Sequence, residues 1–155
     1  MSNVLVAYFS ATGTTARVAR AVAKASGADL FEISPQLPYS AADLNWTNPK
    51  SRCCLEHKDP SCRPALAEKT PDMTQYEVLL LGFPIWWGVS PRPVDTFLEQ
   101  INGFKGRVIV FATSGGSSAH DALEQLKAWY PQLQVESAKL LHGSDVREWV
   151  KTLKL

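Results

Sequence analysis

Apolar runs of four to seven residues alternate along the chain with stretches in which apolar side chains recur every three or four positions. The runs at Asn3–Phe9, Asp29–Ile33, Glu77–Phe83, Arg107–Ala112 and part of Gln134–Leu141 predict strands. V-L-V-A-Y-F, V-L-L-L-G and V-I-V-F-A are apolar at nearly every position, so these strands bury both faces, as central parallel strands do. Thr14–Ser26 carries Val18, Ala21, Val22 and Ala25 at helical spacing and is stopped by Gly27. Pro91–Ile101 repeats the pattern with Val94, Phe97, Leu98 and Ile101, and Ala119–Trp129 is ended by Pro131. A last helix starts at Ser144 or Asp145 and runs to about Leu153. Strand and helix alternate throughout. The expected fold is therefore α/β, a three-layer α-β-α sandwich on a five-stranded parallel sheet with right-handed crossovers, in one domain spanning residues 1–155.

Residues 34–76 break this rhythm and form a long insertion after the second strand. A structureless loop of that length is uncommon in a small domain, so short helices are expected within it. One or two turns fit Ser40–Trp46. A helix capped by Thr47, opening at Pro49 and running to about His57, fits the next stretch. Pro64–Lys69 reads as another short helix, and Tyr39 and Trp46 are expected to pin the segment to the body.

Composition narrows the classes. With 45% hydrophobic and 20% charged residues the chain is an ordinary globule. Its net charge of +1 gives no reason to expect nucleic acid or an anionic membrane as partner. No apolar run approaches the roughly 20 residues of a membrane span. The first strand begins without a charged and apolar leader, so the cytoplasm is the expected compartment. Cys53, Cys54 and Cys62 are expected to be free thiols there. Even with His57 nearby, adjacent cysteines fit poorly around one tetrahedral ion, and no metal site is expected.

Three loops that follow the first, third and fourth strands are chemically unusual, and all leave the same edge of a parallel sheet. The first, S-A-T-G-T-T, runs straight into a helix with no acidic residue in its opening turns. That helix end presents unpaired N–H groups and a partial positive charge. Ser10, Thr12, Thr14 and Thr15 add hydroxyl donors, and Gly13 permits the tight turn. An ordinary strand-to-helix turn needs one hydroxyl cap, whereas this one has four hydroxyls within six residues. It lacks the lysine of G-x-x-x-x-G-K-[ST] and the three glycines of G-x-G-x-x-G, and suits a terminal monophosphate held without a cation. The second loop, Pro84-Ile85-Trp86-Trp87-Gly88, carries adjacent indoles that are costly to leave in water. One of the two is expected to pack in the core against the following helix. In the third, Thr113–Ser118, Gly115 and Gly116 let backbone amides approach a flat ligand. Together the loops describe a site for a phosphorylated planar heterocycle.

S-x-T-G-x-T after the first strand, L-G-F-P-I-W-W-G at the end of the third and F-x-T-S-G-G-S at the end of the fourth resemble the flavodoxin family of FMN proteins. The likeness covers essentially the whole chain. Within the insertion, Y-S-A-A-D-L-N-W, S-R-x-x-x-E and D-P-x-x-R-P are similar to a short bacterial subgroup of that family. The resemblance implies strand order 2-1-3-4-5 and FMN at the sheet edge. On it, Ser10, Ala11, Thr12, Gly13, Thr14 and Thr15 hold the phosphate, and Pro84, Ile85, Trp86, Trp87 and Gly88 flank the isoalloxazine. Thr113, Ser114, Gly115, Gly116 and Ser117 approach its other side or the ribityl chain.

The function implied is flavodoxin-type electron transfer, with a redox partner protein or NAD(P)H as electron source. The uncharged phosphate loop and an electron-rich indole on the ring disfavour the anionic reduced form, so a low potential is expected for the last one-electron step. The near-neutral charge differs from the strongly acidic carriers of the family. An FMN-dependent NAD(P)H oxidoreductase acting on a quinone or similar acceptor is therefore the alternative. Tyr39, Trp46, Arg52, Arg63 and Arg92 are the candidates to receive a nicotinamide nucleotide at an open flavin face. A phosphoacceptor module is disfavoured because no acids cluster at the ends of the first and third strands. No Ser–His–Asp arrangement suggests nucleophilic catalysis, so no catalytic residue is assigned. His120 is expected at a solvated helix start, and His57 and His142 at the surface.

Overall fold

In the computed structural model, which describes residues 3–114, 116 and 118–155, β1 (Val4–Tyr8), β2 (Asp29–Glu32), β3 (Val78–Pro84), β4 (Arg107–Thr113) and β5 (Gln134–Leu140) form one parallel sheet. Its order is β2-β1-β3-β4-β5. Ala7 of β1 sits opposite Phe31 on one side and Leu81 on the other.

Alternation along β1 divides the core in two, as the period of a strand requires. Leu5, Ala7 and Phe9 face Val94, Phe97 and Leu98 of α3 (Arg92–Gln100) and Ala122 and Leu126 of α4 (His120–Trp129). Val4, Val6 and Tyr8 face Val18 and Val22 of α1 (Thr14–Ser26) and Val146 and Trp149 of α5 (Val146–Thr152). Burying one such valine or leucine contributes about 2 kcal/mol. The two-sided apolar runs therefore specify the sandwich. The outer strands β2 and β5 carry partly exposed residues instead.

The insertion after β2 is where expectation and structure part. α2 (Arg52–Lys58) starts at Ser51, later than Pro49. Thr47 caps nothing, because its N–H and hydroxyl both donate to Asn45 Oδ1, closing a local turn. Ser40–Trp46 does form turns, held by Ser40 N–H to Asp43 Oδ2 (2.9 Å) and Asp43 N–H to Ser40 Oγ (3.1 Å). Pro64–Lys69 is not helical. Its backbone bonds across to residues 34–36, through Gln36 N–H to the Ala65 carbonyl and Ala67 N–H to the Ser34 carbonyl, both 2.7 Å. A short 3-10 turn, Met73–Gln75, leads into β3. Tyr39 pins the segment as expected, whereas Trp46 is 71% exposed and pins nothing.

Three arginines hold this insertion in place. Arg92 is 5% exposed, and its guanidinium donates to the carbonyls of Glu56, His57 and Asp59 at the end of α2. It also donates to Asp95 Oδ2 at 3.2 Å, while Asp95 Oδ1 accepts from Tyr130 at 2.5 Å. Arg52 bonds Glu56 and the Leu37 carbonyl and lies 3.9 Å from the centre of the Tyr39 ring. Arg63 pairs with Glu99 and the carbonyls of Pro60 and Cys62.

Candidate functional site

All three unusual loops meet at the carboxyl edge of the sheet. After β1, Gly13 adopts φ 94°, a conformation that strains any residue with a Cβ, and starts α1. The Ser10 hydroxyl accepts the Gly13 N–H at 3.1 Å, which folds the loop back on itself. No side chain caps α1 and no acid stands in its first turn, so its leading amides face outward without an internal anion. Thr12 and Thr14 are exposed, while Thr15 is buried with its hydroxyl 2.7 Å from that of Thr113. In such a pair one oxygen donates, and the second hydrogen remains for a further acceptor.

The second loop is a two-residue hairpin. Trp86 and Val89 exchange both backbone bonds (3.0 and 3.1 Å), with Trp87 at φ 51° and Gly88 at φ 83° between them. Positive φ at both central residues is the type I′ geometry, which favours Asn-Gly. A tryptophan there is strained by about 1–2 kcal/mol. The two indoles have separate duties. Trp86 packs edge-on against Phe9 and Tyr39, at centroid distances of 5.7 and 5.6 Å. This is the core packing expected of one indole, though the rings it meets come from β1 and the insertion. Trp87 is 45% exposed and stacks on His57 at 4.7 Å and 23°. His57, expected at the surface, is half-buried there by this stack. Desolvation, with Arg92 nearby, holds its ring pKa below the ordinary value.

At the third loop, Thr113 is buried and its carbonyl accepts from Ile85 N–H at 3.0 Å. Gly116 N–H donates to Ser114 Oγ at 3.2 Å. Gly115 and Ser117 lie outside the described residues.

Between the loops lies a cleft of about 380 Å³. Ala11, Thr12, Thr14 and Thr15 line one part, Pro84, Ile85, Trp86 and Trp87 another, and Thr113 joins them. Ser10, Gly13, Gly88, Ser114 and Gly116 shape the loops without lining it. Leu44, Trp46 and Cys53 close it from the insertion. Sequence reasoning had nominated Trp46 as near the ligand but missed Leu44 and Cys53. No local signal marked either residue, since both stand in a segment without a strongly amphipathic face. Among the described residues, no charged side chain lines the cleft. Burial raises the Cys53 thiol pKa, which keeps it protonated at neutral pH. Among the nicotinamide candidates, Arg52, Arg63 and Arg92 are engaged in the anchoring bonds above. Among the described residues, no cluster of His, Cys, Asp and Glu is arranged to hold a metal ion. No helix is long and apolar enough to cross a membrane.

A hydroxyl-rich loop and an aromatic wall stand together at the carboxyl edge of a doubly wound open α/β sheet, where such folds bind their ligands. The flavodoxin family model matches residues 3–153, and the chain belongs to that family. It is similar to a candidate flavoprotein from Bacteroides eggerthii DSM 20697, at 42% identity over 98% of each chain with a TM-score of 0.89. It is also similar to one from Bacteroides uniformis ATCC 8492, at 44% identity over 96% of this chain and 97% of that one, with a TM-score of 0.91. A flavoprotein in complex with FMN from Lactobacillus acidophilus NCFM shares the fold, at 24% identity over 94% of this chain and 97% of that one, with a TM-score of 0.77. No curated protein sequence matches the chain.

Proposed function

We propose that the protein binds FMN in this cleft and serves as an electron carrier of the flavodoxin type, exchanging electrons with a partner protein. The observation that carries the reading is the make-up of one cleft: hydroxyl donors at a helix N-terminus and indoles in its wall, with no charged side chain among the described residues that line it. Its volume of about 380 Å³ lies within the range of about 300–1,000 Å³ usual for small-ligand sites. The FMN found in the Lactobacillus acidophilus protein of the same fold supports the choice of ligand.

In this reading Thr12, Thr14 and the first amides of α1 hold the phosphate, and Thr15 orients its donor through Thr113. Trp87 and Trp46 cover the ring system and keep water from it. Bound FMN supplies the one- and two-electron chemistry. Among the described residues the lining offers no carboxylate, histidine or lysine to move protons. Reduction by a partner rather than directly by NAD(P)H fits the engagement of Arg52, Arg63 and Arg92 in structural bonds.

Titrating FMN into the purified protein should quench flavin fluorescence with one-to-one stoichiometry, and dithionite should then bleach the complex anaerobically. NADPH alone should leave it coloured over minutes. A protein that takes up no FMN would remove the reading, and bleaching by NADPH would move it to the oxidoreductase alternative.

A further inference from the structure

Trp46 and Trp87 each border two cavities. One is the cleft described above. The other, about 230 Å³, lies between the insertion and the hairpin and is lined by Trp46, Thr47, Pro49, Cys54, His57, Lys58 and Trp87. We propose that this second cavity is a binding site for a small planar aromatic anion, a one- or two-ring carboxylate or sulfonate, held by Trp46 and the Trp87–His57 stack with its charge near Lys58.

Size, shape and charge each narrow the ligand. At about 230 Å³ the cavity is smaller than the range of about 300–1,000 Å³ usual for small-ligand sites, which leaves room for one or two rings and excludes a dinucleotide. Three of the seven lining side chains are flat rings, and Trp87 and His57 already stand nearly parallel at 4.7 Å. A stacked pair extends readily to a third ring, and indole faces favour flat partners. Among the described residues Lys58 is the one lysine or arginine in the lining, and no carboxylate accompanies it. Among the described residues its ammonium enters no ion pair. His57 is held toward its neutral form by desolvation and by Arg92, so near neutral pH its ring stacks without charge. The cavity also accounts for the strain at Trp87. The type I′ turn would be easier with asparagine, yet its strained position holds an indole in the wall common to both cavities. This site goes beyond the FMN reading and does not depend on it.

The test uses FMN-loaded protein, with naphthalene-2-sulfonate and its neutral counterpart 2-naphthol as probes, followed by calorimetry. The sulfonate should bind one-to-one and several-fold more tightly than the naphthol, with the flavin spectrum showing that FMN stays bound. Lys58→Met should weaken the sulfonate about threefold, the scale of an exposed charge pair, and leave naphthol, FMN affinity and thermal midpoint unchanged. Thr47→Trp, which fills the cavity, should abolish binding of both probes. The proposal is overturned by no binding at millimolar concentration, by equal affinity for the two probes, or by displacement of FMN. Repeating the titration without FMN separates the readings: a protein that fails to take FMN but still binds the sulfonate would keep this site and lose the other.

Discussion

The hydroxyls of Thr15 and Thr113, 98 residues apart in sequence, share a buried hydrogen bond of 2.7 Å. It joins the first turn of α1 to the end of β4, and so fixes the loop after β1 against the sheet. Thr15→Val or Thr113→Val alone leaves the other hydroxyl buried without its partner and should cost about 1–3 kcal/mol in urea unfolding. The double valine variant should cost clearly less than the sum, because no orphan remains. It should recover stability without recovering FMN affinity. Strict additivity in stability would show that the bond does not couple the two elements.

Trp86 and Trp87 are neighbours in sequence with opposite expected phenotypes. Trp86→Ala empties a ring contact with Phe9 and Tyr39 and should destabilise by about 2 kcal/mol. Trp87→Asn creates the Asn-Gly pair that type I′ turns favour, which relieves about 1–2 kcal/mol of backbone strain. Loss of the His57 stack offsets this by about 1 kcal/mol, so stability should hold or rise. FMN affinity should nonetheless fall by roughly tenfold, the scale of one stacked ring. Denaturant midpoints alongside flavin titrations check both signs. A stable Trp87→Asn variant with unchanged FMN affinity would remove Trp87 from the site.

Arg92 is the residue on which the insertion depends. It is 5% exposed and joins the end of α2 to Asp95, which is itself wholly buried. Desolvation already raises the Asp95 pKa, and Arg92 and Tyr130 are the groups that compensate its charge by hydrogen bonds. Arg92→Met strands that carboxylate and should cost about 3–5 kcal/mol. The loss should appear first as protease cleavage within residues 34–76. Arg92→Met with Asp95→Leu should recover much of the stability but not the position of α2, so FMN would bind more weakly than to the native protein.

The two-sided apolar runs of β1, β3 and β4 made the sheet legible in sequence, because period and burial agree at every position. The three loops stood out for a different reason: their residue types exceed what a turn needs, and residues of all three line one cleft. The insertion was not legible, since its order comes from contacts remote in sequence. Arg92 caps carbonyls 33 to 36 residues away, and Ala65 and Ala67 pair with residues 34–36. Local patterns over Pro64–Lys69 suggested a helix because nothing nearby reveals those partners. For the same reason Leu44 and Cys53 joined the cleft unannounced. Trp87–His57 stacking likewise unites a sheet-edge hairpin with the insertion.

The His57 ring should give the protein a measurable response to pH. Desolvation, and then Arg92, lowers its pKa in the folded state. The unfolded chain therefore takes the proton more readily, with its ordinary value of about 6.5. Between the folded and unfolded values the unfolded state holds more protons, so stability rises with pH. The contribution is complete above the unfolded value and declines as pH falls below it. Going from about pH 7.5 to about pH 5.5, native protein should lose more stability than His57→Gln. Urea midpoints for both at each pH isolate this group from the carboxylates, and parallel slopes would contradict the assignment.

Electrostatics in the main cleft lead to a last expectation about the bound cofactor. Among the described residues no charged side chain lines the walls, so none of them offsets the phosphate charge or the charge that reduction adds to bound flavin. In a partly desolvated site like charges repel more strongly than in water. The midpoint for the last electron should therefore be more negative than that of free FMN. Thr12→Lys supplies the missing cation beside the exposed first turn of α1. It should tighten FMN binding and raise the midpoint together, each by on the order of 1 kcal/mol, with both effects shrinking in high salt. Thr12→Val removes the hydroxyl without adding charge, and should weaken binding while leaving the midpoint nearly where it was. Spectroelectrochemistry on the three proteins separates charge from hydrogen bonding. A native midpoint well above that of free FMN would mean that a positive group outside the described lining governs the site.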